Sequence, residues 1–276
     1  MPNTDEAARI AWVQACEDWD EWDKPALPFR VYGNTWHVGT CGISVILITD
    51  PEGLVLLDGG TQAGAKVVVD NMATLGFEIG DVGLISFSHE HFDHVGGIAH
   101  LQDMSGALLV SSAAAAPVME SGIASVDDPQ AEIHEPFAPA RVDFIQGDGE
   151  GIGIGNSFLI SLATPGHTPG AFSWTWESCE GDDCKTIVYA DSLSPISSDA
   201  YRFSDHPEYV AVFYAGLDRL AELDCDILLT PHPSASGMRD KLVAGDLTSG
   251  PNCRDYAEGI RARLDTRLAE EAAARE

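Results

Sequence analysis

The segment from His89 to His94, His-Glu-His-Phe-Asp-His, places four side chains that can bind metals within six residues. It directly follows the apolar run 82–88, which predicts a short buried strand. We expect an extended loop in which His89 and His91 point the same way and share one metal. Asp93 and His94 are adjacent, so they point in different directions and suit a second metal. Imidazole and carboxylate ligands without thiolate favour Zn²⁺ and tolerate iron or manganese.

Two further histidines lie in loops that proline and glycine restrict. His167 occurs in Thr-Pro-Gly-His-Thr-Pro-Gly, and His232 occurs in Thr-Pro-His-Pro directly after the apolar run 227–229. We predict one three-nitrogen site and a second site beside it, each with a position open for water, as in catalytic zinc sites. The predicted ligands are His89, His91 and His167 for the first site, and Asp93, His94 and His232 for the second.

The four remaining histidines have weaker patterns. We expect His37 and His100 to be packing or surface residues, whereas His134 and His206 could border the pocket.

The charge of the chain excludes some partners. Acidic residues number 44 against 15 lysines and arginines, which gives a net charge of -29 over 276 residues. A field of this sign repels nucleic acid and anionic lipid. No run approaches the roughly 18 apolar residues that a membrane span needs. We expect a small-molecule substrate, no nucleic-acid or membrane partner, and a monomer.

Six cysteines lack any Cys-x-x-Cys pair, so a structural zinc finger has little support. Six cysteines allow about 15 connectivities, and buried reduced thiols are the alternative to disulfides. Pairing of nearest neighbours would join Cys16 to Cys41, Cys179 to Cys184 and Cys225 to Cys253. Disulfides would indicate an oxidising compartment, periplasmic or extracellular. The start of the chain lacks a basic and apolar leader, so we expect a mature sequence from which the leader is absent.

The order of elements predicts sheets covered by helices on their outer faces, an α/β fold of one domain over 1–276. We predict a helix over 4–23, a hairpin from 43–49 and 54–57, and a helix over 62–75. A long loop over 122–141 separates these from later strands at 141–145, 158–163, 172–176, 187–191 and 226–230 and helices at 208–223 and from 253 onward. The two halves have a similar order of elements, with a boundary near residue 145.

These motifs together resemble the metallo-β-lactamase superfamily, over the chain from about residue 33 to the end. Within it, the segments around His167, Ala190-Asp-Ser-Leu-Ser194 and Cys225-Asp-Ile-Leu-Leu-Thr-Pro-His232-Pro are similar to the third subclass of metallo-β-lactamases. The resemblance implies an αββα sandwich of two mixed sheets, with two Zn²⁺ ions at one edge. It also implies that Ser192 stands where other subclasses have a cysteine ligand. The pairs Cys225–Cys253 and Cys179–Cys184 match disulfides of that subclass.

The resemblance further implies hydrolysis of β-lactams, including carbapenems, by a hydroxide that bridges the two metals. Asp93 would bind the second metal and orient the nucleophile, and Tyr201 would donate to the oxyanion. Ser192 and Ser194 could bind the substrate carboxylate, and Gln130 in the long loop is a further candidate for the pocket. Asp58 is expected to support the metal loop by hydrogen bonds rather than to bind metal.

Three alternatives stay open at this point. Glyoxalase II and lactonases of the same superfamily carry a bridging aspartate near the position of Asp191, which would favour thioester or lactone hydrolysis. An iron enzyme, such as a persulfide dioxygenase or a flavodiiron oxygen reductase, is a second alternative. A zinc-binding module without activity is the third, although all six predicted ligands are present.

Overall fold

The computed structural model describes residues 4–274. Its first sheet has seven strands, each hydrogen-bonded to the next in chain order. These strands are β1 (Phe29–Tyr32), β2 (Thr35–His37), β3 (Ile46–Asp50), β4 (Gly53–Leu57), β5 (Val82–Ser86), β6 (Leu108–Ser112) and β7 (Phe144–Gln146). The pairs from β1 to β4 are antiparallel, and those from β4 to β7 are parallel, so the sheet is mixed.

The second sheet has five strands, again paired in chain order. They are β8 (Gly151–Ile154), β9 (Ser157–Ala163), β10 (Phe172–Glu180), β11 (Asp183–Tyr189) and β12 (Ile227–Leu229). Only the last pair is parallel. The helix between β11 and β12 allows this crossover, because parallel neighbours cannot be joined by a tight turn.

Eight α-helices connect and cover the strands in the described part of the chain. They are α1 (Thr4–Ala15), α2 (Ala65–Leu75), α3 (Phe92–Val95), α4 (Ile98–Ser105), α5 (Ala116–Ser121), α6 (Pro207–Ala221), α7 (Met238–Ala244) and α8 (Cys253–Ala273).

Three apolar clusters explain the layering. One cluster joins the facing sides of the two sheets, with Ile46 and Val55 from the first sheet and Trp174 and Ile187 from the second. A second cluster packs the first sheet against α2 and α4, and a third packs the second sheet against α6 and α8. Each sheet therefore buries one face on the other sheet and one on helices, which confirms the predicted αββα sandwich.

The N-terminal helix is shorter than the pattern predicts, since it ends at Ala15 instead of continuing to residue 23. The next residue, Cys16, is joined to Cys41. Trp19 then adopts a left-handed backbone, with φ of 55°, and its backbone N–H donates to Ser234 Oγ at 2.7 Å. These long-range ties turn the chain away from the helix axis. The sequence patterns also failed to indicate β1, β2, β8 and α7.

All three disulfides join nearest neighbours in sequence, which confirms that pairing. They are Cys16–Cys41, Cys179–Cys184 and Cys225–Cys253. The first ties the segment after α1 to the loop before β3. The second closes the turn between β10 and β11, and the third fixes the start of α8 beside β12. Among residues 4–274, no helix combines the length and apolar composition that crossing a bilayer requires.

His37 confirms the expectation of a packing role. Its ring stacks on Phe29 at 5.0 Å and meets Trp12 edge-on at 6.0 Å. Neither ring nitrogen has a hydrogen-bond partner in the described chain. Burial therefore lowers the pKa of His37 to about 3.

This buried imidazole predicts a loss of stability in acid. An unfolded histidine has a pKa of about 6.5, so below that pH the unfolded state binds a proton that the folded state excludes. The free energy of unfolding falls as pH drops, by up to about 1.4 kcal/mol per pH unit for this group. The free energy of unfolding is measured in urea at pH 7.5 and at pH 4.5. The decrease between these two pH values should be about 2 kcal/mol smaller for His37→Phe than for the unmodified protein. His100→Gln, on an exposed helix surface, is the control. Equal pH slopes for His37→Phe and the unmodified protein would contradict the prediction.

Candidate metal centre

The predicted ligands meet at one edge of the sandwich, where four strands end. The 89–94 motif follows β5, His167 lies in the loop after β9, and His232 follows β12. The segment 190–194, which follows β11, closes the site. The sequence predicts an extended loop for this motif, but the structure is extended only in its first part. Phe92–Val95 forms the single turn α3, with His94 N–H donating to His91 O at 2.9 Å.

His89 lies at the centre of the cluster. Its ring centroid is 4.8 Å from that of His91, 4.7 Å from that of His167 and 4.3 Å from that of His94. The ligand atoms form two groups in which all atoms lie within 4.8 Å of one another. These groups are His89, His91 and His167, and His89, Asp93 and His94.

His232 extends the second group. Its Nε2 lies 3.5 Å from Asp93 Oδ2, and His94 Nε2 lies 3.1 Å from the same oxygen. The six residues that the sequence predicts as metal ligands are therefore adjacent in space, in two overlapping groups that share His89.

Each of the five histidines directs one ring nitrogen at an oxygen atom of the protein. Two of these oxygens are backbone carbonyls, so the nitrogen must donate: His167 Nδ1 to Ser194 at 2.8 Å and His232 Nδ1 to Gly42 at 3.2 Å. The other three are carboxylates. The pairs are His89 Nδ1 with Asp191 Oδ1 at 2.8 Å, His91 Nε2 with Asp128 Oδ2 at 3.0 Å, and His94 Nδ1 with Asp58 Oδ2 at 3.5 Å.

These outer contacts leave the second nitrogen of each ring for a metal. The second nitrogens are Nε2 of His89, His94, His167 and His232, and Nδ1 of His91. His89 Nε2 is buried and has no hydrogen-bond partner among the described residues. Metal-binding histidines commonly donate their other N–H to a carboxylate or carbonyl, which fixes the tautomer and the ring. The donor set therefore fits metal ions.

The pKa values of the clustered histidines are consistent with metal binding. Burial and the neighbouring histidines hold the pKa values of His89 and His91 well below the ordinary value, which keeps their lone pairs free. His94 differs, since burial lowers its pKa but Asp93 and Asp58 outweigh that effect and raise it to about 10. Two carboxylates thus attract positive charge to this side of the cluster, where a metal cation would supply it.

Asp58 supports the motif from behind. Its carboxylate accepts hydrogen bonds from Ser88 N–H at 2.6 Å, Ser88 Oγ at 3.0 Å and Tyr189 OH at 2.6 Å. The side chain is fully buried, and its backbone is left-handed, with φ of 66°. Asp58 thereby ties the residue before His89 to the end of β11, as the supporting role requires.

Glu90 points away from the metal ligands and connects the motif to the loop of His167. Its carboxylate accepts hydrogen bonds from Thr168 Oγ1 at 2.6 Å and Gly170 N–H at 2.9 Å. Burial raises its pKa to about 7, although these hydrogen bonds act in the opposite direction. Glu90, which lies between His89 and His91 in sequence, thus helps to position the loop that carries His167.

A cavity of about 540 Å³ opens above the cluster. His167 and His232 contribute to its wall, together with Ser192 and Ser194. Leu193, between the serines, has a left-handed backbone with φ of 49°, so this segment is not extended. Both serines nevertheless line the cavity, and Ser192 Oγ is buried without a hydrogen-bond partner in the described chain.

The other candidates from sequence divide into two groups. Gln130 is buried, with Nε2 3.4 and 3.5 Å from the two nitrogens of His167, so it packs against that ring. His134 stacks on His91 at 3.7 Å. Tyr201 stacks on His206 at 4.5 Å, and neither residue is among the described residues that line the cavity. The role in oxyanion binding that the resemblance implies for Tyr201 stays a prediction.

Sequence reasoning missed two features of the site. Asp128 lies in the long loop that was predicted, but no spacing relates it to His91. Trp19 and Trp22 lie beside His232, with ring centroids 6.2 and 6.1 Å away. Trp19 lines the cavity and is 69% exposed. Both tryptophans fall within the helix predicted over 4–23, so the sequence analysis did not place them at the site. Two tryptophans three residues apart in an otherwise acidic segment were the available signal.

Known structures resemble the chain along nearly its whole length. The MIM-2 metallo-beta-lactamase is 55% identical, with a TM-score of 0.91, and the alignment covers 96% of this chain and 98% of that one. MEM-A1, a subclass B3 metallo-beta-lactamase isolated from a soil metagenome library, is 38% identical, with a TM-score of 0.87. That alignment covers 92% of this chain and 100% of MEM-A1.

Curated relatives are more distant. A hydroxyacylglutathione hydrolase from Nitrobacter hamburgensis is 29% identical over 157 residues, which are 54% of this chain and 50% of that protein. The chain thus spans about half the length of the curated relatives it matches. The sequence model of the metallo-beta-lactamase superfamily matches residues 38–232, from the strand region before the His89 motif through His232. The solved structures that resemble this chain are hydrolases. With the αββα fold and the two groups of predicted ligands at its edge, the chain belongs to the metallo-beta-lactamase superfamily.

Proposed function

We propose that the chain is a zinc-dependent β-lactam hydrolase that opens the lactam ring, with carbapenems among its substrates. The observation that carries the proposal is the cluster of six predicted metal ligands, in which each histidine has a protein oxygen facing its outer nitrogen. Similarity to MIM-2 over nearly the whole of both chains supports the choice of β-lactams within the superfamily.

Two zinc ions suit this donor set, because it contains imidazoles and a carboxylate but no thiolate. His89, His91 and His167 would hold one ion, and Asp93, His94 and His232 would hold the other. Bound zinc would supply a water that loses its proton near neutral pH and a Lewis acid for the lactam carbonyl.

Asp93 would orient the attacking water. Its Oδ2 faces the metal-binding nitrogens of His94 and His232, which leaves Oδ1 to accept a hydrogen bond from that water. The water oxygen would bond to the carbonyl carbon, the C–N bond would break, and the lactam nitrogen would gain the proton that the water had lost. Glu90 and Asp58 act only on the positions of the ligands.

Ser192 and Ser194 would bind the carboxylate of the substrate. Ser192 Oγ is a buried hydroxyl that lines the cavity and has no partner among residues 4–274. Such a hydroxyl is costly to bury unless a ligand satisfies it. Gln130 would help to hold the substrate indirectly, through its packing against His167.

The thioesterase or lactonase alternative depends on a bridging role for Asp191. That carboxylate lies on the outer side of His89, with Oδ1 2.8 Å from Nδ1, and its Oδ2 accepts from Leu193 N–H at 3.1 Å. Burial raises its pKa to about 8. Asp191 therefore faces the outer nitrogen of His89 and not the nitrogens predicted to bind metal, which favours orientation of His89 over bridging and favours the lactamase proposal.

The direct test follows the ultraviolet absorbance of a carbapenem and a cephalosporin with the zinc-loaded protein. We expect turnover that chelator abolishes and that added zinc restores. A lactone and S-lactoylglutathione are assayed in parallel. Turnover of either of these without any loss of the lactams would overturn the proposal and return attention to Asp191. Metal analysis of the purified protein separates zinc from iron.

We also infer a periplasmic or extracellular location. Three disulfides join all six cysteines, and such bonds persist in oxidising compartments.

A further inference from the structure

One wall of the cavity is a face of α8. Tyr256, Gly259, Ile260 and Arg263 line it, at the spacing that places helical residues on one side. The helix is held firmly: Cys253 is joined to Cys225, and Tyr256 OH donates to Ser192 O at 2.6 Å. Side chains on this face therefore have a fixed position relative to the two serines.

Arg263 is the single lysine or arginine among the described residues that line the cavity. Its Nη1 lies 3.5 Å from Ser194 Oγ. Two other arginines of α8 are paired with carboxylates: Arg261 contacts Asp218 and Arg267 contacts Glu271. No carboxylate in the described chain pairs with Arg263, although acidic residues outnumber basic ones by almost three to one. An unpaired cation beside two hydroxyls is the chemistry that recognises an anion.

Asp255 is the one acidic residue of this wall. Its carboxylate accepts a hydrogen bond from Asn252 N–H at 3.3 Å, within the capping box at the start of α8. This hydrogen bond to the backbone holds the carboxylate about two helical turns from Arg263, so it does not neutralise the guanidinium.

We propose that Arg263 is a cationic anchor that, with Ser192 and Ser194, binds the carboxylate of the substrate and makes the site selective for anionic substrates. This inference rests on the proposed function, because it names the substrate class of the same site. The guanidinium is exposed at the edge of the cavity, so water screens part of its charge. We therefore expect it to raise the affinity for an anionic ligand about tenfold.

The first test does not depend on lactam turnover. Calorimetry on the zinc-loaded protein compares mercaptoacetate with 2-mercaptoethanol, which share the thiol that zinc binds but differ in the carboxylate. We expect the preference for mercaptoacetate to fall about tenfold in Arg263→Gln and to be partly retained in Arg263→Lys. Raising the salt concentration should reduce the preference of the unmodified protein more than that of Arg263→Gln.

Arg254→Gln is the matched control. It removes the same charge from the same helix, at an exposed position outside the cavity, and should leave the preference unchanged. An unaltered preference in Arg263→Gln, or equal losses in the two variants, would overturn the proposal. So would failure of mercaptoacetate to bind more tightly than 2-mercaptoethanol to the unmodified protein.

The second test uses a cephalosporin and its methyl ester. We expect Arg263→Gln to raise KM about tenfold for the free acid while kcat changes little and the ester is unaffected. If the unmodified protein hydrolyses neither compound, the proposed function fails, and the thiol series still decides the role of Arg263. If the cephalosporin is hydrolysed but Arg263→Gln behaves as the unmodified protein does, only the anchor is refuted.

Discussion

Replacement of Asp93 by asparagine is expected to lower the rate of β-lactam hydrolysis by about 10³-fold, since metal-assisted catalysis contributes several kcal/mol and each 1.4 kcal/mol is a factor of ten. Among residues 4–274, Asp93 Oδ2 is the one carboxylate oxygen that faces the predicted ligand nitrogens of both His94 and His232. A neutral amide binds a dication weakly, so we also expect one of the two metal ions to be lost.

Two measurements check this prediction. Mass spectrometry of the metals after dialysis gives the metal-to-protein ratio, and lactam absorbance gives the rate. Asp127→Asn makes the same chemical change on an exposed loop residue and should alter neither. Two retained metals with a rate within tenfold of the unmodified protein would contradict the role of Asp93. Two retained metals with a large loss of rate would assign Asp93 to the orientation of water alone.

The second large effect is expected for Asp58→Ala, which should lower the free energy of unfolding by roughly 3–5 kcal/mol. The carboxylate accepts from Ser88 N–H, Ser88 Oγ and Tyr189 OH, all buried. Each buried donor left without a partner costs about 1–3 kcal/mol. Alanine also tolerates the left-handed backbone of this position less well than aspartate or asparagine does.

Urea unfolding of the metal-free protein, with its disulfides intact, measures this effect. Asp58→Asn is the matched control, because its amide oxygen can still accept from Ser88 N–H and its backbone suits the same φ. We expect it to lose less than half as much stability as Asp58→Ala. Equal losses in the two variants, or a loss below about 1 kcal/mol in Asp58→Ala, would show that the network contributes little.

Local patterns were sufficient where structure depends on near neighbours. The hairpin of β3 and β4 has apolar strands on either side of a Pro-Glu turn, and the structure pairs Asp50 with Gly53 across it. The pairing of Cys179 with Cys184 likewise follows from a short turn. The helix predicted to residue 23 failed because distant residues, Cys41 and Ser234, redirect the chain after Ala15.

The sequence by itself determined which side chains can bind metal, because ligand chemistry belongs to residue types and the 89–94 motif concentrates them at the end of a strand. It also determined the αββα class, through the order of strands and helices and through family resemblance. Only the tertiary structure decided which carboxylate orients each histidine, which arginine reaches the serines and where Tyr201 lies. Asp128 and His91 are 37 residues apart, and Arg263 and Ser194 are 69 apart. Contacts across such distances depend on how the sheets and α8 pack, and no local spacing encodes them.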